Sequence, residues 1–263
     1  MRPIAGSSGP LSKPAAGESA ASPPERIAKL LARVGLCSRR DAERWIAAAR
    51  VSVDGRVLTT PAVMVTAAND VRVDGQPLPA IDRPRLWRYH KPAGLVTTHR
   101  DEKGRPIVFD ALPKELPRVI SVGRLDLNSE GLMLLTNDGA LARRLELPAT
   151  GWVRRYKVRV HGEVDPDRLA SLEHGMEIDG VVYGAIRASL DRRQGSNAWI
   201  TMGLREGKNR EVRRVLEHLG LQVTRLIRLS YGPFQLGNLA RGAVDEVPRK
   251  VLAEQLGDAD RRR

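Results

Sequence analysis

The sequence predicts an α+β fold in which a small helical module with short strands precedes a larger domain built on an antiparallel sheet. Apolar residues recur at helical spacing in two segments near the N-terminus, whereas alternation typical of strands dominates the chain after about residue 86. The 263 residues, 41% of them hydrophobic, suffice for one large core and a smaller one. Two domains are therefore expected.

The chain ends differ in composition from the rest. Residues 1–24 are rich in Ser, Ala, Gly and Pro and show no apolar period, so we expect a disordered tail there. Residues 254–263, which end in DADRRR, are expected to form a second tail. The predicted domains span 25–82 and 83–253, separated by a hinge near the sequence IDRPR.

Two helices and two hairpins are predicted in the first domain. One helix face is formed by Ile27, Leu30, Leu31 and Val34, and Gly35 ends this helix. Ser38 and Asp41 give the start signal of a second helix. Its predicted buried face consists of Ala42, Trp45, Ile46 and Ala49. The segments VSVDGRVL (51–58) and VRVDGQPL (71–78) alternate across Asp-Gly turns, as hairpins do.

The second domain is predicted to be rich in strands. Strands are indicated by LWRYHK, LVTT after a glycine turn, RVISVG, GLMLLTN, WVRRYKVRV, AWITMGLRE and QVTRLIRLSYG. Helices are indicated by ALARRLEL, which follows Asn137-Asp138-Gly139; by DPDRLASLEHG, with Asp165 as its cap; and by NREVRRVLEHLG, closed by Gly220.

The charge predicts a polyanionic partner. The chain has 44 basic and 31 acidic residues, a net charge of +13, which favours nucleic acid first and an anionic membrane surface second. Residues 25–50 hold seven basic and three acidic residues off the apolar stripe. Charge alone leaves open whether this face binds nucleic acid or is merely solvated.

Several classes of protein are disfavoured. The single cysteine, Cys37, allows no internal disulfide or thiolate zinc finger, and the five histidines lack the spacing of a metal site. No apolar stretch approaches the length of a membrane span or a signal core, so we expect a cytoplasmic protein. EGKNR at 206–210 lacks the glycine and the Lys-Ser/Thr ending of a phosphate-binding loop. No metal or cofactor is predicted.

Asp126 lies in a polar turn between two apolar runs, in VGRLDLNSEGLMLLTNDG (122–139). Most aspartates in such turns only cap the chain. Here Arg124 lies two residues earlier, and Gly123 and Gly131 bracket the loop between two strands. A carboxylate held rigidly beside positive charge stays ionised and can act in covalent chemistry.

The segment GRLDLNSEGLMLLTNDG resembles the signature of the RsuA/RluB-type ribosomal RNA pseudouridine synthases, whose GRLD aspartate is catalytic. Further segments resemble the family in the same order: KPAG (91–94), GRPIVFDALP (104–113), RRYKVRV (154–160) and EGKNREVRRVLEHLG (206–220). RIAKLLARVGLCSRRDAERWIAAARVSVDGRVL resembles the S-four-type RNA-binding module. The resemblance thus spans nearly all of 25–253; Ser129 replaces a threonine common in the family but keeps the hydroxyl.

The resemblance implies site residues. Asp126 would be catalytic, Tyr156 would stack on the extruded uracil, and Arg213 would pair with the catalytic carboxylate. From the residues alone, cross-strand packing is the favoured role of Tyr156, and most basic residues of 205–228 would meet only phosphate or solvent. The RNA-contact candidates are Arg39, Arg40, Arg44, Lys91, Arg124, Lys208 and Arg210.

The predicted function is site-specific isomerisation of uridine to pseudouridine in ribosomal RNA, by a monomer that needs no cofactor. YHKPAGLVTT and GRPIVFDALP resemble the large-subunit branch of the family, so large-subunit ribosomal RNA is the expected substrate. The alternatives are a small-subunit ribosomal RNA synthase and a non-catalytic RNA-binding assembly factor, which would need no carboxylate at position 126. A DNA-binding regulator would leave the second domain unexplained.

Overall fold

The computed structural model describes residues 23–147 and 150–257. Within them the chain divides into two compact units, with the boundary between Ala80 and Ile81. Most of both predicted tails, residues 1–22 and 258–263, lies outside the described residues.

The smaller unit contains two helices and six short strands. They are β1 (Glu25–Arg26), α1 (Ile27–Arg33), α2 (Arg39–Ala47), β2 (Val51–Val53), β3 (Arg56–Val57), β4 (Met64–Val65), β5 (Val71–Val73) and β6 (Gln76–Pro77). An antiparallel sheet has the order β3-β2-β5-β6, and β1 pairs with β4. The apolar stripes of both helices and the inward valines of the sheet share one core.

Local signals explain these elements. The predicted capping box is confirmed, because the Ser38 hydroxyl accepts a hydrogen bond from the backbone N–H of Asp41 at 3.0 Å and the Asp41 carboxylate accepts from Ser38. Both Asp-Gly turns are confirmed, with positive φ at each of their residues, as a type I′ hairpin requires. The prediction for Ala49 was wrong: it lies beyond the helix end, exposed and with φ +57°, because the chain turns there into β2.

The larger unit is built on one large sheet. Its described elements are β7 (Leu86–Lys91), β8 (Ile120–Val122), β9 (Ser129–Thr136), α3 (Gly139–Glu146), β10 (Arg154–His161), α4 (Pro166–Ser171), β11 (Met176–Ile178), β12 (Val181–Tyr183), β13 (Ile186–Gln194), β14 (Asn197–Leu204), α5 (Glu211–His218), β15 (Gln222–Tyr231), β16 (Phe234–Gln235), β17 (Val244–Glu246) and α6 (Arg249–Leu256), with 3-10 turns at Phe109–Ala111 and Leu172–His174.

The large sheet has nine strands in the path β13-β14-β10-β15-β9-β7-β17, with β16 beside β15 and β8 beside β9. Every pair in it is antiparallel except β9 with β15, which is parallel. The α+β prediction with a mainly antiparallel sheet is confirmed, and the one parallel pair is an addition to it. Strands β11 and β12 form a separate hairpin.

Two expectations for this unit were wrong, and some of its elements were missed. LVTT forms no strand, since Val96 makes only an isolated bridge to Ile107. Strands β11, β12, β13, β16 and β17 and helix α6 were not predicted. The C-terminal tail was predicted from residue 254, but α6 continues to Leu256 because Leu252 and Leu256 pack into the core.

Strand β9 is the support of the larger unit. All eight of its residues are buried. Met133 and Leu135 belong to the core on one face of the sheet, and Leu132 and Leu134 to the core on the other. A strand fixed from both faces cannot move without disturbing two cores, so the turn that enters β9 at Ser129 is held rigidly.

Gly131 allows β9 and β15 to approach closely. It has φ +104°, and a Cβ built on it would lie 2.3 Å from the carbonyl oxygen of Arg228 and 2.6 Å from its nitrogen. We expect Gly131→Ala to lower the free energy of unfolding by more than about 3 kcal/mol, since it adds backbone overlap to strain. Urea unfolding followed by circular dichroism measures this loss.

Gly94→Ala is the matched control. Gly94 also has positive φ, +89°, but a Cβ there meets nothing within 4 Å, so only the conformational cost of about 1 kcal/mol is expected. Equal losses in the two variants would show that the contact with Arg228 is unimportant.

Candidate active site

A cleft of about 710 Å³ lies in the larger unit. One wall is the loop before β9, from Gly123 to Asp126; another is the segment 206–212 at the start of α5. Its floor is formed by side chains of two adjacent strands, namely Arg154 and Tyr156 of β10 and Leu226, Arg228 and Tyr231 of β15. The cleft thus combines carboxylates, an aromatic platform and several cations.

Asp126 lines this cleft and is partly buried. Its backbone carbonyl accepts a hydrogen bond from Ser129 N at 3.0 Å, which closes the turn into β9. In the described part of the chain, its carboxylate has neither a hydrogen-bond nor an ion-pair partner. The carboxylate is therefore available to a bound molecule.

Lys91 is not on the surface, which corrects its prediction as a phosphate contact. Its side chain is fully buried at the end of β7. Its ammonium donates to the carbonyl oxygens of Ser129 at 2.8 Å, Asp126 and Pro92 at 3.1 Å, and Leu127 at 3.4 Å. Lys91 therefore holds the turn that presents Asp126.

Burial lowers the pKa of Lys91 to about 8, and the nearby Asp126 carboxylate opposes this shift. The carbonyl oxygens around the ammonium replace part of the water it loses. A buried positive charge thus lies directly behind the turn of Asp126.

Arg213 also contacts this turn, but differently from the expectation. The predicted ion pair with Asp126 is not formed in the described part of the chain; instead, the Arg213 guanidinium donates to the carbonyl oxygens of Asn128 at 3.0 Å and Val223 at 3.3 Å. Burial lowers its pKa, Arg210 lowers it further, and the charge of Asp126 opposes both. Arg213 thus fixes the backbone beside Asp126 and leaves the carboxylate free.

Tyr156 both packs in the core and lines the cleft. It is 8% exposed and lies between Met202 of β14 and Arg228 of β15 in the sheet register. Its inward position on β10 brings it to the same cleft as Asp126. The packing and the stacking interpretations are compatible with this one position.

Three of the predicted RNA contacts line the cleft: Arg124, Lys208 and Arg210. The Arg124 side chain is exposed. Lys208 is engaged by Glu206 and by the carbonyl oxygen of Val182, both at 2.6 Å, and its hydrogen bond to Glu206 raises its pKa. Arg210 precedes α5 in the left-handed region at φ +52°, with Glu217 at 3.8 Å.

The other three predicted contacts belong to the smaller unit. Arg39, Arg40 and Arg44 are exposed on α2. Arg44 forms an ion pair with Asp41, while the other two side chains have no partner in the described part of the chain.

Sequence reasoning missed a stack of charged and aromatic groups in the cleft floor. The guanidinium carbons of Arg154 and Arg228 lie 4.6 and 5.2 Å from the ring centre of Tyr231. Arg154 also donates to the Tyr231 hydroxyl at 2.8 Å. A signal was available, because Arg154 and Arg228 occupy inward positions of alternating strands, where an arginine is costly without a specific role.

Glu206 and Glu211 form a second missed feature. Glu211 is 3% exposed; one carboxylate oxygen accepts from Lys208 N at 2.8 Å, and the other is buried with no donor among the described residues. Burial raises the pKa of Glu211 to about 7, and Glu206 raises it as well. Burial raises the pKa of Glu206, but hydrogen bonds from Gly184 and Lys208 lower it more, so the pKa of Glu206 lies below its ordinary value. Of these two neighbouring carboxyl groups, Glu211 is therefore the one that keeps its proton to higher pH.

Comparison with known proteins identifies the family. Residues 85–218 match the family model described as RNA pseudouridylate synthase, and residues 25–71 match the S4 domain. A Rickettsia felis protein named as an uncharacterized RNA pseudouridine synthase is 48% identical over 228 residues, which cover 87% of this chain and 99% of that protein. The chain belongs to the RNA pseudouridylate synthase family, and it is an isomerase acting on uridine in RNA.

Two further relatives agree with this assignment. A Yersinia pestis protein named ribosomal large subunit pseudouridine synthase B is 42% identical over 234 residues, covering 86% of this chain and 74% of that protein. A crystal structure of a pseudouridylate synthase, 24% identical, superposes with a TM-score of 0.61 over 88% of this chain and 99% of the other, which shows the common fold.

No helix in the described part of the chain is long and apolar enough to span a membrane. No group of three or more His, Cys, Asp or Glu side chains in it is arranged to hold a metal ion.

The Glu211 proton predicts a pH dependence of stability. Because the folded pKa of about 7 exceeds the ordinary 4.5, the contribution of Glu211 is full below pH 4.5 and is lost as pH rises through 7. We expect the stability of the wild type relative to Glu211→Gln to fall by on the order of 2 kcal/mol over that range. Urea unfolding at constant ionic strength measures it.

Glu217→Gln is the control, because Glu217 lies on the same helix with 53% of its side chain exposed. Its stability relative to the wild type should change little over the same range. If Glu211→Gln behaved like this control, Glu211 would titrate as an ordinary surface glutamate.

Proposed function

We propose that this enzyme isomerises a specific uridine of large-subunit ribosomal RNA and that Asp126 is its catalytic carboxylate. The observation that carries the proposal is the carboxylate of Asp126, which lines the cleft and has no partner among the described residues. The Yersinia pestis relative, which is named as a large-subunit synthase, supports the choice of RNA. A small-subunit synthase is the alternative within the family.

The isomerisation breaks the bond between N1 of uracil and C1′ of ribose and joins C5 to the same C1′. The proton of C5 is released, and N1 gains one. No atom is oxidised and no bond is hydrolysed, so the rearrangement can proceed without an external oxidant, reductant or cofactor. In this proposal Asp126 acts at the glycosidic bond, since its carboxylate reaches the cleft unpaired.

The surrounding residues have separate roles in the proposal. Tyr156 stacks on the uracil once the base leaves the RNA stack. Arg213 and Lys91 are positioning residues, because they bind the carbonyl oxygens of the turn rather than the carboxylate. Arg124, Lys208 and Arg210 contact phosphates at the rim of the cleft.

The domains divide the work. We assign RNA docking to residues 25–82, including Arg39, Arg40 and Arg44, and catalysis to residues 83–253. The protein acts as a monomer in the cytoplasm, on free ribosomal RNA or on an assembling subunit. A non-catalytic assembly factor would have no use for the free Asp126 carboxylate.

Asp126→Asn tests the catalytic role. The amide keeps the size of the side chain and removes its charge, so we expect pseudouridine formation in ribosomal RNA to fall by at least about 10³-fold, while RNA affinity stays within about twofold. A chemical probe specific for pseudouridine, applied to ribosomal RNA from cells lacking the gene and complemented with each variant, measures activity and names the uridine.

Asp110→Asn is the control, since Asp110 is exposed and does not line the cleft; it should restore the modification fully. Parallel loss of RNA binding and activity in Asp126→Asn would make Asp126 a structural residue. A map unchanged by loss of the gene would favour the assembly factor.

The double variant Arg39→Ala/Arg40→Ala tests RNA docking. Both side chains are exposed on α2. Loss of two phosphate contacts should weaken binding to ribosomal RNA and reduce the slope of log affinity against log salt by about 1.4 to 1.8. Filter binding over a salt series measures this. The control is Arg56→Ala/Arg72→Ala, which removes the same charge from β3 and β5; an equal slope in both variants would argue against docking through α2.

A further inference from the structure

The large sheet has a second face, which the cleft does not use. On β10 the inward residues Arg154 and Tyr156 line the cleft, so the alternating residues Arg155, Lys157 and Arg159 point to the opposite side. On β14 the buried residues likewise alternate with half-buried ones, among them Trp199 and Thr201. This opposite side is polar and partly open to solvent.

Cross-strand register arranges this face in two rows. Arg159 of β10 pairs with Trp199 of β14, which pairs with Arg192 of β13. Four residues along β10, Arg155 pairs with Gly203, which pairs with Arg187 of β13. We call the four arginines of these rows (Arg155, Arg159, Arg187 and Arg192) the arginine rectangle. Its Cα atoms span about 10 Å across the strands and about 14 Å along them.

The arginine rectangle is not neutralised by the protein. None of its four side chains makes a hydrogen bond or ion pair with any residue that the structure describes. The acidic residue on this face, Asp191, is already bound to Lys157 at 2.8 Å and to the Thr201 hydroxyl at 2.9 Å. Arg155, Arg187 and Arg192 are exposed, and Arg159 is half-buried. Four unneutralised positive charges on one open face attract a polyanion.

We propose that the arginine rectangle binds RNA backbone outside the catalytic cleft. Guanidinium groups bind phosphate oxygens in a bidentate manner, and Trp199 between two of them offers a ring on which an unpaired base can stack. The length of about 14 Å matches about four nucleotides at 3.4 Å each. The inference rests on the proposed function only in taking RNA as the partner.

The position of this surface gives it a distinct role. Because it lies on the side of β10 opposite Tyr156, the nucleotides on it differ from the uridine in the cleft. Strand β13 lies at the edge of the sheet. RNA bound to Arg187 and Arg192 can therefore extend beyond the sheet without passing over another strand. The surface would therefore bind flanking RNA and add affinity for long substrates.

The double variant Arg187→Gln/Arg192→Gln tests the proposal in the full chain. Both side chains are exposed on an edge strand, so the fold should be retained, which a thermal melt checks. The probe is a 20-nucleotide oligocytidylate, which holds no uridine and so reports binding without chemistry. We expect about tenfold weaker binding near 0.1 M salt and a salt slope reduced by about 1.4. Arg155→Gln/Arg159→Gln should give a similar result.

The charge-matched control is Arg249→Gln/Lys250→Gln, two exposed residues of α6. Affinity and slope equal to this control in both rectangle variants would overturn the proposal. The proposal would also be overturned if the rectangle variants bound RNA normally but no longer bound phosphatidylglycerol vesicles. That result would assign the face to an anionic membrane. The two proposals are tested separately. Normal oligocytidylate binding by the rectangle variants would not change the result expected for Asp126→Asn, and an active Asp126→Asn enzyme would not change the meaning of the oligocytidylate measurement.

Discussion

The buried ammonium group of Lys91 holds the turn on which the site depends. It donates to carbonyl oxygens at Pro92, Asp126, Leu127 and Ser129, so a single cation ties the end of β7 to the whole turn before β9. The oxygens of Asp126 and Leu127 also accept hydrogen bonds from the backbone N–H groups of Ser129 and Gly94, so the ammonium adds a second donor there. Arg213 binds the remaining carbonyl of the turn, that of Asn128. Two cations from different elements thus fix the backbone of one short loop, and neither of them binds the Asp126 carboxylate.

This arrangement explains why the residue types of the site were predictable and the geometry was not. The pattern around Asp126 indicated a carboxylate held in a rigid turn, and the structure brings it to one cleft with Tyr156, Arg124, Lys208 and Arg210. The partners of Lys91 and Arg213 could not be predicted, because a basic residue binds a backbone carbonyl as readily as a phosphate, and only the fold decides which is near. Burial separates the two cases: Lys91 is fully buried at the end of a strand, whereas Arg124 is exposed.

The fold shows the same division between local and distant information. Helices and hairpins with capping or turn signals, such as the Ser38 capping box and the Asp-Gly turns, were predicted because their determinants lie within a few residues. Strand β13 was missed because its residues are mostly exposed at a sheet edge, so that burial imposes little alternation on its sequence. The parallel pairing of β9 with β15 joins residues 97 positions apart, such as Ser129 and Leu226, and its one local sign is Gly131, whose missing Cβ lets Arg228 approach.

The cleft also separates its two kinds of carboxylate by environment. Asp126 has no bonded partner among the described residues, whereas Glu211 is buried beside Glu206 and carries its proton to about pH 7. If Glu211 ionised together with Glu206, two adjacent charges would compete for Lys208 and loosen the segment that carries Lys208 and Arg210 into the cleft. Below about pH 7 a protonated Glu211 avoids this repulsion and spares the cleft an additional negative charge, which would oppose entry of RNA. The cleft therefore combines the unpaired carboxylate of Asp126 with the cations Arg124, Lys208 and Arg210, and that combination suits a reaction on a polyanion.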